Sequence, residues 1–170
     1  LTRFDGHDFY TFKPIQNSQG TILSNRIYNI KIGRKGNIWC VSSDNRLYSF
    51  DTQKCLFTDV LRQIPDLTDK RVKVLTPLKS GVTWVVFHDQ SCLRLAADDW
   101  QHQSHYYPTG SADLLHSRKI LDVVQDDNGD EWVLTDAGAI CLKRKLQVRN
   151  PFRYLRSVNG QTCLIAQNGG

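Results

Sequence analysis

A glycine followed three positions later by a large strand residue recurs about every 45 residues along this 170-residue chain. It appears as Gly36-Asn37-Ile38-Trp39, Gly81-Val82-Thr83-Trp84 and Gly129-Asp130-Glu131-Trp132, then in weakened form as Gly160-Gln161-Thr162-Cys163. Short segments of β-type residues flank each glycine. The glycine suits the positive φ of a tight hairpin, and the bulky residue suits the wedge between two stacked sheets. Such a period predicts a radial array of four-stranded antiparallel sheets, a β-propeller. Trp39, Trp84 and Trp132 are therefore expected in the core, not on a sugar-stacking surface.

Within one repeat the pattern orders four strands, A (inner) to D (outer). Arg26 to Ile32, Asn37 to Ser42, Arg46 to Phe50 and Cys55 to Val60 read as one blade within 22–60. A second blade occupies 71–107 and a third 118–149. Residues 1–13 read as strands C and D of a preceding blade, and 152–170 as strands A and B of a further one. The total is about four blade equivalents. The end halves could pair into a closed four-bladed ring, but a partial arc of a larger propeller is the favoured reading, because four is the low end of the usual blade number. The chain starts at Leu1 and contains no methionine, so it is expected to be a segment of a longer polypeptide.

Composition narrows the function classes. A 40% hydrophobic, 10% aromatic chain can bury a sizeable core. No apolar run is long enough to span a membrane, so membrane insertion by this segment is not expected. The net charge of +5, concentrated around Lys143-Arg144-Lys145, Arg149, Arg153 and Arg156, reads as a solvated outer strand and linker. An acidic glycan would fit it too; nucleic acid is not an expected partner, since no nucleic-acid module accompanies the charge. The five cysteines, Cys40, Cys55, Cys92, Cys141 and Cys163, lack C-x-x-C spacing, and buried free thiols are expected. The acidic turn Asp126 to Glu131 lacks the twelfth-position glutamate of a calcium loop and reads as a hairpin turn, so no metal and no cofactor are expected. His7, His88, His102, His105 and His116 are scattered, and no nucleophile elbow or nucleotide-binding glycine loop occurs. Paired carboxylates for glycoside hydrolysis leave no local signature. The reading is non-catalytic.

In a propeller the B–C and D–A connections share one rim, and loops on rigid scaffolds commonly carry function. That rim offers Asp44, Asn45 and Arg46, then His88, Asp89 and Gln90, then Asp136, and finally Gln167 and Asn168 as ligand- or partner-binding candidates. A second candidate is the aromatic stretch containing Trp100, Tyr106 and Tyr107, whose plainer reading is an outer strand D.

Ile22-Leu23-Ser24-Asn25-Arg26-Ile27, Gly36-Asn37-Ile38-Trp39, Leu1-Thr2-Arg3-Phe4-Asp5-Gly6 and Asp126-Asp127-Asn128-Gly129-Asp130-Glu131-Trp132 together resemble the two-component regulator propeller repeat. The second blade lacks the acidic turn, and Cys163 replaces the tryptophan of the last. The resemblance implies a periplasmic sensor region of an inner-membrane hybrid histidine kinase, often responding to oligosaccharides. Kinase activity would lie elsewhere in the parent chain, and the partners would be the remaining propeller blades and sensor modules, with a homodimeric parent receptor. A general protein-interaction propeller without a small ligand is the alternative.

Overall fold

The computed structural model describes residues 1–13, 20–24, 26–34, 36–64, 66–96, 104–107, 119–136, 138–142, 146–149, 155–158 and 161–164. The described chain is all-β, with a single turn of 3-10 helix at Leu61–Gln63.

Three sheets have four strands each. The first comprises β3 (Ile27–Ile32), β4 (Ile38–Ser42), β5 (Leu47–Asp51) and β6 (Leu56–Asp59). It follows a two-stranded hairpin, β1 (Thr2–Phe4) and β2 (Phe9–Thr11). The second comprises β7 (Val72–Pro77), β8 (Thr83–Phe87), β9 (Cys92–Leu95) and β10 (Ser104–Tyr107). The third comprises β11 (Ile120–Gln125), β12 (Glu131–Thr135), β13 (Gly138–Cys141) and β14 (Leu146–Arg149). A last pair, β15 (Leu155–Val158) and β16 (Gln161–Leu164), closes the described chain. Every sheet is antiparallel with its strands in chain order.

The repeated glycines do what their spacing predicts. Gly36, Gly81 and Gly129 have φ of 78°, 93° and 82°, a left-handed region that an L side chain enters only with strain. Each ends a tight turn: the Gly36, Gly81 and Gly129 amides donate to the Gly33, Leu78 and Asp126 carbonyls. The strand that follows then presents its tryptophan to the next sheet. Trp39 packs with Leu75, Val85 and Leu95 of the second sheet, and Trp84 with Val123, Val133 and Ile140 of the third. Trp39 is 2% exposed and Trp84 0%. Trp132 departs from the core expectation: it is only half-buried, and its indole N–H donates to Asp126 Oδ2 at 3.0 Å. A polar anchor in its own turn takes the place of full burial.

The first strand of each four-stranded sheet carries a β-bulge at the same place, Tyr28, Lys73 and Leu121 being the extra residues. Two of these reach across to the next sheet. Tyr28 Oη donates to the Val72 carbonyl at 3.1 Å, and Lys73 Nζ donates to the Ile120 carbonyl at 2.7 Å. Val72 and Ile120 both sit immediately before the next bulge, so one contact is repeated by two different chemistries. Partial burial, and then the Lys119 ammonium, draw the Lys73 pKa below its ordinary value.

The first sheet is covered unevenly. Leu1 and Phe12 of the N-terminal hairpin pack on its outer half, where Tyr48, Phe50 and Phe57 are buried. On the same face Ile30 pairs with Cys40, and Ile32 with Ile38; yet Ile30 is 46% and Ile32 74% exposed. Phe4 and Phe9 stack at 4.7 Å on the opposite side of the hairpin, also in solvent.

Trp84→Ala is expected to destabilise the chain by about 3–5 kcal/mol, through the cavity left by a fully buried indole. Trp132→Ala should cost roughly half as much or less, because less apolar surface leaves water there. Urea unfolding of the two variants checks the order; equal losses would place both indoles in equivalent surroundings.

Candidate functional site

The predicted rim is assembled from equivalent turns of successive sheets. In the first two, Asn45 and Gln90 take positive φ (64° and 68°), and their amides donate to the Ser42 and Phe87 carbonyls at 3.0 Å. The preceding Ser43 and His88 amides, and in the third sheet that of Asp136, donate to the Arg26, Arg71 and Lys119 carbonyls. The hairpin turn of each sheet is thereby tied to the chain entering its first strand. Asp44, Asn45, Arg46, His88, Asp89, Gln90 and Asp136 accordingly share one edge, as the repeat predicts. Asn168, Gln167 and Trp100 lie outside the described residues, as does Lys143-Arg144-Lys145.

Most of the polar rim side chains bond to the fold itself. Asp44 accepts from Ser42 Oγ and pairs with Arg46 Nε at 3.2 Å, while Arg46 Nη1 reaches Asp59 on β6. The hydrogen bond to Asp59 raises the Arg46 pKa further above its ordinary value. Asp89 accepts from the Ser91 N–H and O–H and pairs with Lys70. Burial pushes the Asp89 carboxyl up, but the hydrogen bonds from Lys70 and Ser91 outweigh it, and its pKa lies below the ordinary carboxylate value. Gln90 bridges sheets: Oε1 accepts from the buried Ile120 amide at 2.9 Å and from Lys73 Nζ at 3.4 Å, and Nε2 donates to the His88 carbonyl. His88 and Asp136 are exposed. Asp136 Oδ1 accepts from the Lys119 amide.

The aromatic candidates divide. Tyr106 and Tyr107 fall on β10, the outer strand of the second sheet. Tyr107 is half-buried and its ring stacks on Trp84, with centroids 5.5 Å apart and planes 20° from parallel. The sequence reading missed what Trp84 does at its other end: its indole N–H donates to Glu131 Oε2 at 2.7 Å. Arg94 grips the same carboxylate through Nε (3.0 Å) and Nη2 (2.7 Å). That hydrogen bond holds the Arg94 pKa above its ordinary value. The available signal was positional: Glu131 precedes Trp132 where Ile38 and Thr83 precede the other tryptophans, a charge at an otherwise uncharged core position.

Among the described cysteines, Cys40, Cys92 and Cys141 are buried free thiols. Burial pushes the Cys40 thiol to about 11 and the Cys92 thiol to about 12, far from the range of a nucleophilic thiolate. Cys55 departs from the expectation of burial. It lies exposed at the turn before β6, with φ of 55°. In the acidic turn, Asp126 Oδ1 accepts from the Asn128 and Asp130 amides, so this carboxylate organises the hairpin.

No protein-family model matches the sequence, and no curated protein is significantly similar to it. Solved structures share its fold. The extracellular domain of the proposed hybrid two component system BT3049 of B. thetaiotaomicron superposes with a TM-score of 0.55 at 13% identity, over 82% of this chain and 19% of that one. The extracellular domain of the proposed hybrid two component system BT4673 of the same organism gives 0.55 at 20% identity, over 86% and 19%. The chain thus spans about a fifth of the length of these structures, and at such identities the likeness is one of fold.

Gln90→Ala is expected to cost about 1–3 kcal/mol, because the buried Ile120 amide loses its acceptor. His88→Ala should stay within about 0.5 kcal/mol. Thermal unfolding separates them, and equal effects would contradict the bridging geometry. Asp89 also predicts a pH dependence. Its lowered folded-state pKa adds stability above the ordinary carboxylate value, near pH 4, which is lost as pH falls through the folded pKa. Asp89→Asn should therefore flatten the acid limb of stability against pH; an unchanged limb would assign it to other carboxylates.

Proposed function

We propose that this chain is a non-catalytic segment of a β-propeller, about four blade equivalents of a larger arc, within the periplasmic sensor region of a hybrid two-component receptor. The observation that carries this reading is the fold shared, over more than four-fifths of the chain, with extracellular domains of proposed hybrid two component systems. The repeated glycine–tryptophan cassette supports it independently. In this reading the receptor responds to an oligosaccharide, and the segment passes the response to a kinase elsewhere in the parent chain. The rim of Asp44, Arg46, His88, Asp89, Gln90 and Asp136 is the surface through which it meets ligand or neighbouring modules. Its internal ties favour a rigid platform, whose exposed members do the contacting.

A second reading has its own observation. The exposed Ile30 and Ile32, on a sheet face that is covered elsewhere, and the exposed stacked pair Phe4 and Phe9 favour a protein-interaction propeller without a small ligand. Calorimetry of the intact sensor region against neutral and acidic oligosaccharides separates the two. Sugar binding accompanied by kinase activation is expected; failure of every sugar with capture of a protein partner would reverse the ranking. In the intact receptor, His88→Ala and Asp136→Ala together should alter signalling while leaving Tm nearly unchanged. Unaltered signalling would remove the rim from the account.

A further inference from the structure

The hairpin β1–β2 repeats the outer half of a sheet. The Phe12 amide donates to the Leu1 carbonyl as the Val60 amide donates to that of Leu47, both at 2.8 Å. Phe4 pairs with Phe9 as Phe50 pairs with Phe57. The two ring pairs have nearly the same geometry, with centroids 4.7 and 4.5 Å apart and planes at 28° and 33°. In the first sheet β4 adds to β5 on the side away from β6; among the described residues no strand adds to β1 on the corresponding side. Alternation turns the Thr2 and Phe4 amides outward along that edge. The first sheet is uncovered at the matching place. Ile30 is 46% exposed, whereas Leu75 and Val123, which like Ile30 stand two residues past the bulge residue, are 3% and 0% exposed. Leu75 packs with Trp39 and Val123 with Trp84.

We propose that Ile30 and its β4 partner Cys40 form the seat of a large aromatic side chain, carried three residues after a turn glycine on a two-stranded hairpin that pairs with the free edge of β1. The inference rests on the larger-arc reading above and names what completes its first blade. Leu75 with its partner Val85, and Val123 with Val133, are the corresponding seats of Trp39 and Trp84. The hairpin supplies strands A and B to β1 and β2 as C and D, so chain order assigns it to the parent-chain segment just before β1. Main-chain bonds along β1 set its register, and its aromatic residue covers the apolar surface that Ile30 and Ile32 show to water. The chain's own last hairpin does not fit. The pair β15–β16 has the strand order to add to β1, but Gly160 is followed three residues later by Cys163. A cysteine side chain is far smaller than an indole and would leave a cavity over Ile30. Size thus selects against closure of this chain on itself, and equally against head-to-tail addition of a second copy.

Leu1 stands where Leu47 stands, so a copy of residues 26–46 joined directly before Leu1 presents strands A and B in frame. Hydrogen exchange and methyl spectra compare the full chain of residues 1–170, the chain with this extension, and the extended chain carrying Trp39→Cys in the copied segment only. The tryptophan extension should slow exchange of the Thr2 and Phe4 amides by about 100-fold and shift the Ile30 and Ile32 methyl signals. The cysteine extension should protect about tenfold less, and Trp39→Phe in the copy should keep most of the protection, which controls for strand pairing. Equal protection by the tryptophan and cysteine extensions overturns the aromatic seat, as does protection that leaves the Ile30 methyls unmoved. If no extension protects β1 and the unextended chain leaves it open, the seat fails and the larger-arc reading stands. Slow Thr2 and Phe4 amides already in residues 1–170 would put β15–β16 on this edge and overturn the seat; in a monomer that result overturns the larger arc as well.

Discussion

Everything in this structure depends on apolar sheet faces being covered by the next sheet. In β8 all five residues are buried, so the strand has apolar contacts on both sides and cannot belong to a sheet with one wet face. Val85 and Phe87 pack toward the first sheet, Trp84 and Val86 toward the third. A lone sheet with two such faces would expose each of them to water, at roughly 25 cal/mol per Å². Stacking is the solution, and the repeated tryptophan fills the space that stacking leaves. At the edge formed by the first strands, the bulge residues Tyr28 and Lys73 tie one first strand to the next through a backbone carbonyl.

This arrangement makes the rim part of a connected body. The rim turns are held to the entering chain by backbone bonds and to neighbouring sheets by Gln90, so contacts made there act on a connected body. In the Trp84–Glu131–Arg94 group a charged pair lies between two sheets. A partly buried charge is stabilised by pairing and hydrogen bonding, and Glu131 accepts from three donors.

The fold was largely legible because its determinants are local and repeated: a glycine needing positive φ, alternation of apolar residues, and a bulky residue at fixed offset. The site was less legible because its determinants are neither. Glu131 meets Trp84 across 47 residues and Arg94 across 37, distances that no local pattern links. Trp132 looked equivalent to Trp39 and Trp84, yet its turn carries Asp126 where the first sheet has Gly33 and the second Leu78, and the carboxylate captures its indole. The hydrogen-bond network of the rim turns was not legible, since turn composition does not distinguish a solvated aspartate from one bonded to Lys70 and Ser91.

The central claim is that three stacked sheets form the body of the described chain, with a two-stranded sheet before them and another after them. Native-state amide hydrogen exchange tests it strand by strand. The account predicts the slowest exchange in β8, between two covering sheets, and exchange faster by orders of magnitude in β1–β2 and β15–β16. Equal protection of all five sheets would contradict it, since that requires the two half-sheets to be completed and covered like the rest.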